Sequence, residues 1–310
     1  METRNQVKTK ENSSLIKNSS GVTILESDSI KSILDVSNKD SFVVLDLDNT
    51  VIESTEHLGS DQWFVQMMKE ACQMEPSPEM IQFVLAVYHA VQHHIELKTV
   101  EDHVKAVIEF LHDAKIPVIA LTARGNNIAK PTVAQLKKNG IAFNDKWDKH
   151  SGELTTIRNT PVVYENGIIF CSGNNKGACL KAFFEKIKHQ PSHVVMVDDK
   201  EKHLHIVGET LQNLDIKFSG IRYSFLDDKI KLIDMEHADK SIVKMSDKFS
   251  DAEKHALMRV RPKTKSAIIK SVEFKGPGES LKLSFFAEKK NSINQEKPKE
   301  QKSFKVSNHY

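Results

Sequence analysis

Short, wholly apolar runs separated by amphipathic stretches of helical period dominate the pattern of the chain. Phe42-Val43-Val44-Leu45, Pro117-Val118-Ile119-Ala120-Leu121 and Val194-Val195-Met196-Val197 are too short for buried helices and rich in β-branched residues, which predicts buried strands. Between them apolar residues recur at i, i+3, i+4 and i+7. Phe64, Met67, Met68 and Ala71 form one such set, and Ile81, Val84, Leu85 and Tyr88 a second beyond Pro76-Ser77-Pro78. Further helices are predicted through Val104, Val107, Ile108 and Leu111, from Thr132 to Lys138, through Leu180, Phe183, Phe184 and Ile187, and through Leu204, Val207 and Leu211. Val162-Val163-Tyr164 and Ile168-Ile169-Phe170-Cys171 flank Asn166-Gly167, the signature of a hairpin. Ile216 to Tyr223 supplies a last strand.

Strands alternating with helices at this spacing predict an α/β, three-layer, Rossmann-like fold with a mostly parallel sheet and right-handed crossovers. The segment after Thr50 is too long for a simple crossover, so its helical patterns predict a small helical cap inserted after the first strand, over about residues 56–98. Residues 1–22, rich in Lys, Asn, Ser and Glu without periodicity, are expected to be disordered. A main domain is expected over 23–250, in which a short amphipathic piece (Ile30, Ile33, Leu34) leads to the first strand. From 251 to 310 the pattern fades, which predicts a basic, largely flexible tail.

Charge sharpens that division. The net charge is +2, yet residues 261–310 hold 12 of the 44 Lys and Arg but only 5 of the 42 Asp and Glu. The basic excess therefore belongs to the tail, not to the domain. No nucleic-acid motif accompanies it, so a solvated tail is expected even around Phe285-Phe286, with no nucleic-acid partner. Three cysteines without CxxC spacing (Cys72, Cys171, Cys179) argue against a disulfide framework or a structural zinc site. Residues 1–30 contain no apolar run long enough for a signal peptide, and no stretch approaches a membrane span. The chain is expected to be cytoplasmic as synthesised, with any export proceeding without a cleavable signal.

Chemistry gathers at the ends of the predicted strands. Phe42-Val43-Val44-Leu45 runs into Asp46-Leu47-Asp48-Asn49-Thr50, two carboxylates where a buried strand meets a loop. Burying carboxylates is costly, and strand-end loops are where open α/β sheets build their sites. The strand ending at Leu121 delivers Thr122-Ala123-Arg124-Gly125, suited to holding phosphate oxygens. Asp198-Asp199 follow Val197 and suit a hard cation, and Lys176 opens a helix within Gly173-Asn174-Asn175-Lys176-Gly177. Taken singly, each has a plainer role. Thr122 alone reads as a helix cap, Arg124 as a surface residue of a first helical turn, His93-His94 as ordinary helix residues, and Trp63 as packing under the insertion. Lys200 rivals Lys176 as the site lysine.

Together, Asp46-Leu47-Asp48-Asn49-Thr50, Thr122, Lys176 and Asp198-Asp199 resemble the four motifs of the haloacid dehalogenase-like superfamily of phosphohydrolases, in that family's order. Leu58-Gly59-Ser60-Asp61-Gln62-Trp63-Phe64 and Asn175-Lys176-Gly177 resemble a narrower, under-characterised branch found in intracellular bacterial pathogens, where related phosphatases serve as secreted effectors. The resemblance implies a nucleophile at Asp46, an acid/base at Asp48, and Thr122 and Lys176 holding the phosphoryl group. It further implies Mg²⁺ held by Asp46, by Asp48 through its backbone carbonyl and by Asp198, with Asp199 acting through water or Lys176. The implied function is a Mg²⁺-dependent phosphatase with an aspartyl-phosphate intermediate, acting on a phosphorylated protein or a small phosphate ester. The alternatives are a catalytically silent phospho-ligand binding protein and a phosphotransferase or mutase using the same intermediate. Oligomeric state is not legible.

Overall fold

The computed structural model describes residues 14–17, 22–143 and 146–273. The chain begins with β1 (Ser14–Lys17), β2 (Thr23–Ser27), α1 (Ser32–Val36), β3 (Ser41–Leu45) and β4 (Ile52–Ser54). Two long helices follow, α2 (Asp61–Met74) and α3 (Pro78–Gln92), then β5 (Leu97–Thr99), α4 (Val104–Asp113), β6 (Val118–Thr122) and α5 (Ala129–Lys138). Next come β7 (Gly152–Ile157), β8 (Thr160–Glu165), β9 (Ile168–Phe170), α6 (Lys176–Ile187), β10 (His193–Asp198), α7 (Glu201–Gln212) and β11 (Lys217–Tyr223). The last described segment is helical: α8 (Asp227–Ile230), α9 (Met235–Met245), α10 (Asp251–Val260) and α11 (Lys265–Glu273).

Nine strands form one sheet in the order β1-β2-β11-β10-β3-β6-β9-β8-β7. The six from β2 to β9 run parallel, and antiparallel β1 on one side and the β8–β7 pair on the other close the edges. The fold is thus α/β with a mostly parallel sheet flanked by helices. The continuous apolar runs have a direct cause, because both faces are covered. Val43, Leu45, Val118, Ala120, Val195 and Val197 point to the face packed by α4 and α5. Their neighbours Phe42, Val44, Ile119, Leu121, Val194 and Met196 point to the face packed by α6 and α7. The Asn166-Gly167 hairpin turn forms as its residues demand, with φ of 52° and 76°.

The segment after β3 rises from the sheet on a two-stranded ribbon, β4 paired with β5, and carries α2 and α3. Ser60 caps α2 by accepting the Trp63 N–H, and Ser77 caps α3 ahead of Pro78 at its first turn. Trp63 is buried inside this layer.

Three expectations are corrected. Residues 14–17, placed in a disordered segment, form β1 against β2; their edge position gives them no long apolar run. Four further strands, β2, β4, β5 and β7, have no counterpart in the expected elements. From residue 251 the expected flexible tail instead opens with α10, started by a Ser250/Glu253 capping box, and continues into α11. Leu257, Val260 and Ile268 are buried with Met67, Val84 and Val87 in one cluster, so the chain returns to complete the cap. Arg261 ties α10 to Glu70 of α2 and Asp239 of α9, and Arg259 reaches Glu75 at 2.7 Å. The remainder of the expected tail, with Phe285-Phe286, lies outside the described residues.

Leu257→Ala should therefore destabilise the protein by about 2–5 kcal/mol in urea unfolding, the cost of a cavity in a closed core. A cost near zero would show that α10 lies loosely on the surface.

Candidate active site

Four loops leave the same edge of the sheet because β3, β6, β9 and β10 are parallel neighbours in the order β10-β3-β6-β9. Leu45 pairs with Val197 on one side and Ala120 on the other, and the Asp46 N–H still donates to Val197 O at 2.9 Å. Asp46 and Asp198 thus leave adjacent strands at one level. Beyond Asp48 the chain turns sharply: Asn49 takes φ of 59°, and the N–H groups of Val51 and Ile52 both donate to Leu47 O at 2.9 Å. Asn is among the residues that tolerate this left-handed conformation.

Lys176 is the hub. Its Nζ lies 2.7 Å from Asp46 Oδ1 and 2.7 Å from Asp198 Oδ2, and the side chain is 2% exposed. Asn175 caps α6 by accepting the Ala178 N–H at 2.9 Å, which fixes the helix start beside the two acids. Gly177 follows for a steric reason. A Cβ there would meet Thr210 Oγ1 at 2.2 Å and Ile206 O at 2.8 Å, so only glycine lets α6 seat this close to α7. Lys200, the rival lysine, turns elsewhere and bridges to Asp61 at the start of α2, 2.8 Å away.

Asp198 and Asp199 end β10. Asp198 accepts from Lys176, from the Lys200 N–H at 2.8 Å and from His203 Nδ1 at 3.1 Å. Asp199 Oδ2 accepts from Asn49 Nδ2 at 3.3 Å, while its Oδ1 is buried with no hydrogen-bond partner. Oxygens of Asp46, Asp198 and Asp199 lie within 4.8 Å of one another, a cluster that could hold a metal ion.

Asp48 and Thr122 are organised by a residue that spacing alone did not assign. Arg124 is 3% exposed and forks onto Asp48, Nε to Oδ2 at 2.9 Å and Nη2 to Oδ1 at 2.8 Å. Its Nη1 is held by Thr132 at 3.0 Å and Gln135 at 3.2 Å, both on α5. Thr122 Oγ1 accepts the Arg124 N–H at 3.1 Å, so the hydroxyl fixes the turn that aims the guanidinium. The plainer reading of Arg124 as a surface residue is overturned. His203 was also missed: an isolated histidine five residues past an acidic pair carries no signal in one sequence.

The electrostatics follow from one ammonium serving several buried acids. Burial pushes the Asp46 carboxyl up to about 7, with Lys176 pulling down and Asp198 pushing up. Burial also carries Asp199 well above the carboxylate range. Asp198 goes the other way: burial alone would raise it, but Lys176 and His203 outweigh burial and hold it far below. For Asp48, burial is likewise outweighed, here by Arg124. Lys176 is desolvated, yet its two acids lift it above an ordinary lysine, so it stays charged.

A pocket of about 630 Å³ lies beside this site, lined by Asp48, Arg124 and Lys200 and, from the cap helices, by Phe64 and Tyr88.

Over residues 24–259 the sequence matches a family model described as a protein of unknown function (DUF2608). The chain belongs to the DUF2608 family. It is also similar to proteins named "Putative outer membrane protein" in Chlamydia muridarum (strain MoPn / Nigg), at 22% identity over 60% of this chain and 70% of that protein. A relative in Chlamydia pneumoniae with the same description is 23% identical over 59% of this chain and 68% of its own length. No helix among the described residues is long and apolar enough to cross a membrane. The family match covers the site from Asp46 to His203 and also takes in α10, the first helix of the expected tail.

The raised Asp46 pKa sets a sign for stability. In the unfolded chain this carboxyl titrates near 3.8, so between pH 4 and 7 the folded state holds a proton that the unfolded state has released. Stability from this group therefore falls as pH rises through that window. In chelator-treated protein, Asp46→Asn should gain on wild type from pH 4 to 7, at up to about 1.4 kcal/mol per pH unit. A pH-independent difference in urea unfolding would contradict the shift.

Proposed function

We propose that this DUF2608 protein is a Mg²⁺-dependent phosphomonoesterase of the haloacid dehalogenase-like kind, working through an aspartyl-phosphate intermediate. The observation that carries this reading is the Lys176 ammonium held between Asp46 and Asp198 at the ends of adjacent central strands. It is supported by Asp48 two residues beyond Asp46 and by Thr122 ending the neighbouring strand β6. An anionic nucleophile can approach an anionic phosphate only where positive charge is fixed between them.

The donor set fits a hard divalent cation. All donors are oxygens, three carboxylates converge, and Asp199 Oδ1 is buried and unpartnered. Asp46 and Asp198 would hold Mg²⁺ through their carboxylates and Asp48 through its backbone carbonyl, with Asp199 acting through water. When bound, Mg²⁺ would supply charge neutralisation at the phosphoryl oxygens.

Asp46 attacks phosphorus, forming the aspartyl phosphate as the ester P–O bond breaks and the leaving oxygen takes a proton from Asp48. Asp48 then accepts a proton from the water that attacks the phosphorus of the intermediate. Arg124 fixes the Asp48 rotamer through both carboxylate oxygens and favours the ionised form, which suits the proton-accepting step; the proton that Asp48 donates is the one taken from water in the preceding turnover. Lys176 and Thr122 orient the transferring group.

Purified protein should hydrolyse p-nitrophenyl phosphate only with Mg²⁺. Asp46→Asn should lower kcat by about 10³-fold or more, and Asp48→Asn by about 10²–10⁴-fold. Turnover by Asp46→Asn equal to wild type would remove Asp46 as nucleophile, and Mg²⁺ binding without turnover of any ester would favour a silent phospho-ligand binder. A separate readout needs no turnover. Because burial raises the Asp46 carboxyl to about 7, Mg²⁺ titrated into metal-free protein at pH 6 should release protons, seen as a buffer-dependent calorimetric enthalpy. Enthalpies identical across buffers would exclude the cluster as the binding site.

A further inference from the structure

The pocket above the site has a composition that selects a leaving group. Its volume of about 630 Å³ is in the range of sites for small organic molecules, far above what a phosphoryl group needs. Both lining cations are already committed. Arg124 is forked onto Asp48 at 2.8 and 2.9 Å, and Lys200 is bridged to Asp61 at 2.8 Å. Each pair is locally neutral, so no lining cation remains to receive a second anionic group.

Outward from those pairs the walls carry no formal charge. On the cap side Phe64 and Tyr88 stand with ring centroids 4.6 Å apart, next to Leu85. His89 belongs to the same wall, and burial lowers its pKa and favours the neutral ring. The rest of the lining, from the loops after β6 and β7, includes Asn126, Asn127 and Asn159 beside Pro161, and Asn127 Nδ2 lies 3.5 Å from His89 Nδ1 where this side meets the cap. Aromatic and aliphatic surface bordered by amide-bearing residues suits a flat, neutral group with hydrogen-bonding edges.

We propose that the pocket binds the leaving group of a small phosphate monoester bearing one neutral planar ring, as in a nucleoside 5′-monophosphate or an aryl phosphate. This assignment rests on the phosphomonoesterase reading and narrows it. Esters with a second anionic group are disfavoured, because that group would have to break an ion pair or stand desolvated and unpaired. Acyclic esters leave the ring wall empty.

The test compares kcat/KM of the Mg²⁺-loaded protein for adenosine 5′-monophosphate, p-nitrophenyl phosphate, adenosine 3′,5′-bisphosphate, glycerol 2-phosphate and a phosphoserine peptide. The two ring monophosphates should exceed glycerol phosphate and the peptide by about tenfold or more, the ratio expected of one stacked ring. The bisphosphate should fall below adenosine 5′-monophosphate by a similar factor. Phe64→Ala should shrink the ratio of ring ester to glycerol phosphate by about tenfold through KM. Leu85→Trp, which adds bulk to the pocket lining from a half-buried position at the margin of the cap cluster, should do the same should Phe64→Ala not fold. Equal efficiency on ring and acyclic esters, preference for the peptide, or a ratio unmoved in both variants overturns the assignment while leaving the phosphatase reading intact. Absence of turnover on every ester overturns both.

Discussion

The rest of the site depends on the Lys176 ammonium lodged between Asp46 and Asp198. Two carboxylates ending adjacent strands in the middle of a covered sheet repel one another and lose their hydration, and a missing counter-charge would cost several kcal/mol. Lysine serves because its charge is compact and its stem can be buried along α6. Its position is fixed by short-range features: the Asn175 cap sets where the helix begins, and Gly177 lets that helix close on α7. Even so, one lysine does not neutralise Asp46, Asp198 and Asp199 together. Burial, helped by the neighbouring aspartates, raises the Asp46 and Asp199 carboxyls, and a divalent cation at the cluster would favour their ionised forms.

A second charge pair divides the labour. By taking both oxygens of Asp48, Arg124 separates that carboxylate from the Lys176 cluster, although the two aspartates are only two residues apart. Each acid thereby has its own cation, and their environments push them in opposite directions, Asp46 up and Asp48 down. The two carboxylates, though neighbours in sequence, therefore differ in how readily they hold a proton.

The central strands were legible because the physics there is one-dimensional. Val43, Val118 and Val195 face one layer and their neighbours the other, so the apolar run is visible without knowing any partner. Asp46 and Asp198 were legible for a related reason, as charged residues set where such runs stop, and Lys176 as the first residue of a helix pattern. The outer strands are different: β2 fully buries only Ile24 and Ser27, and β7 is largely solvated, so their patterns resemble loops. Arg124 could not be read, since its partner lies 76 positions away. The same holds for α10 and α11, whose apolar residues are sparse and acquire meaning only against α3, far earlier in the chain.

That last separation bears on how the molecule comes into being. During synthesis every strand of the sheet is available once Tyr223 has been made, whereas α2 and α3 still lack the residues that cover Met67, Val84 and Val87. The sheet can close early, but the cap stays unfinished until the segment through Ile268 emerges. For that interval the nascent chain presents a greasy helical face above a formed site. Pausing or cleavage there would leave a closed sheet beneath an adhesive, half-built roof.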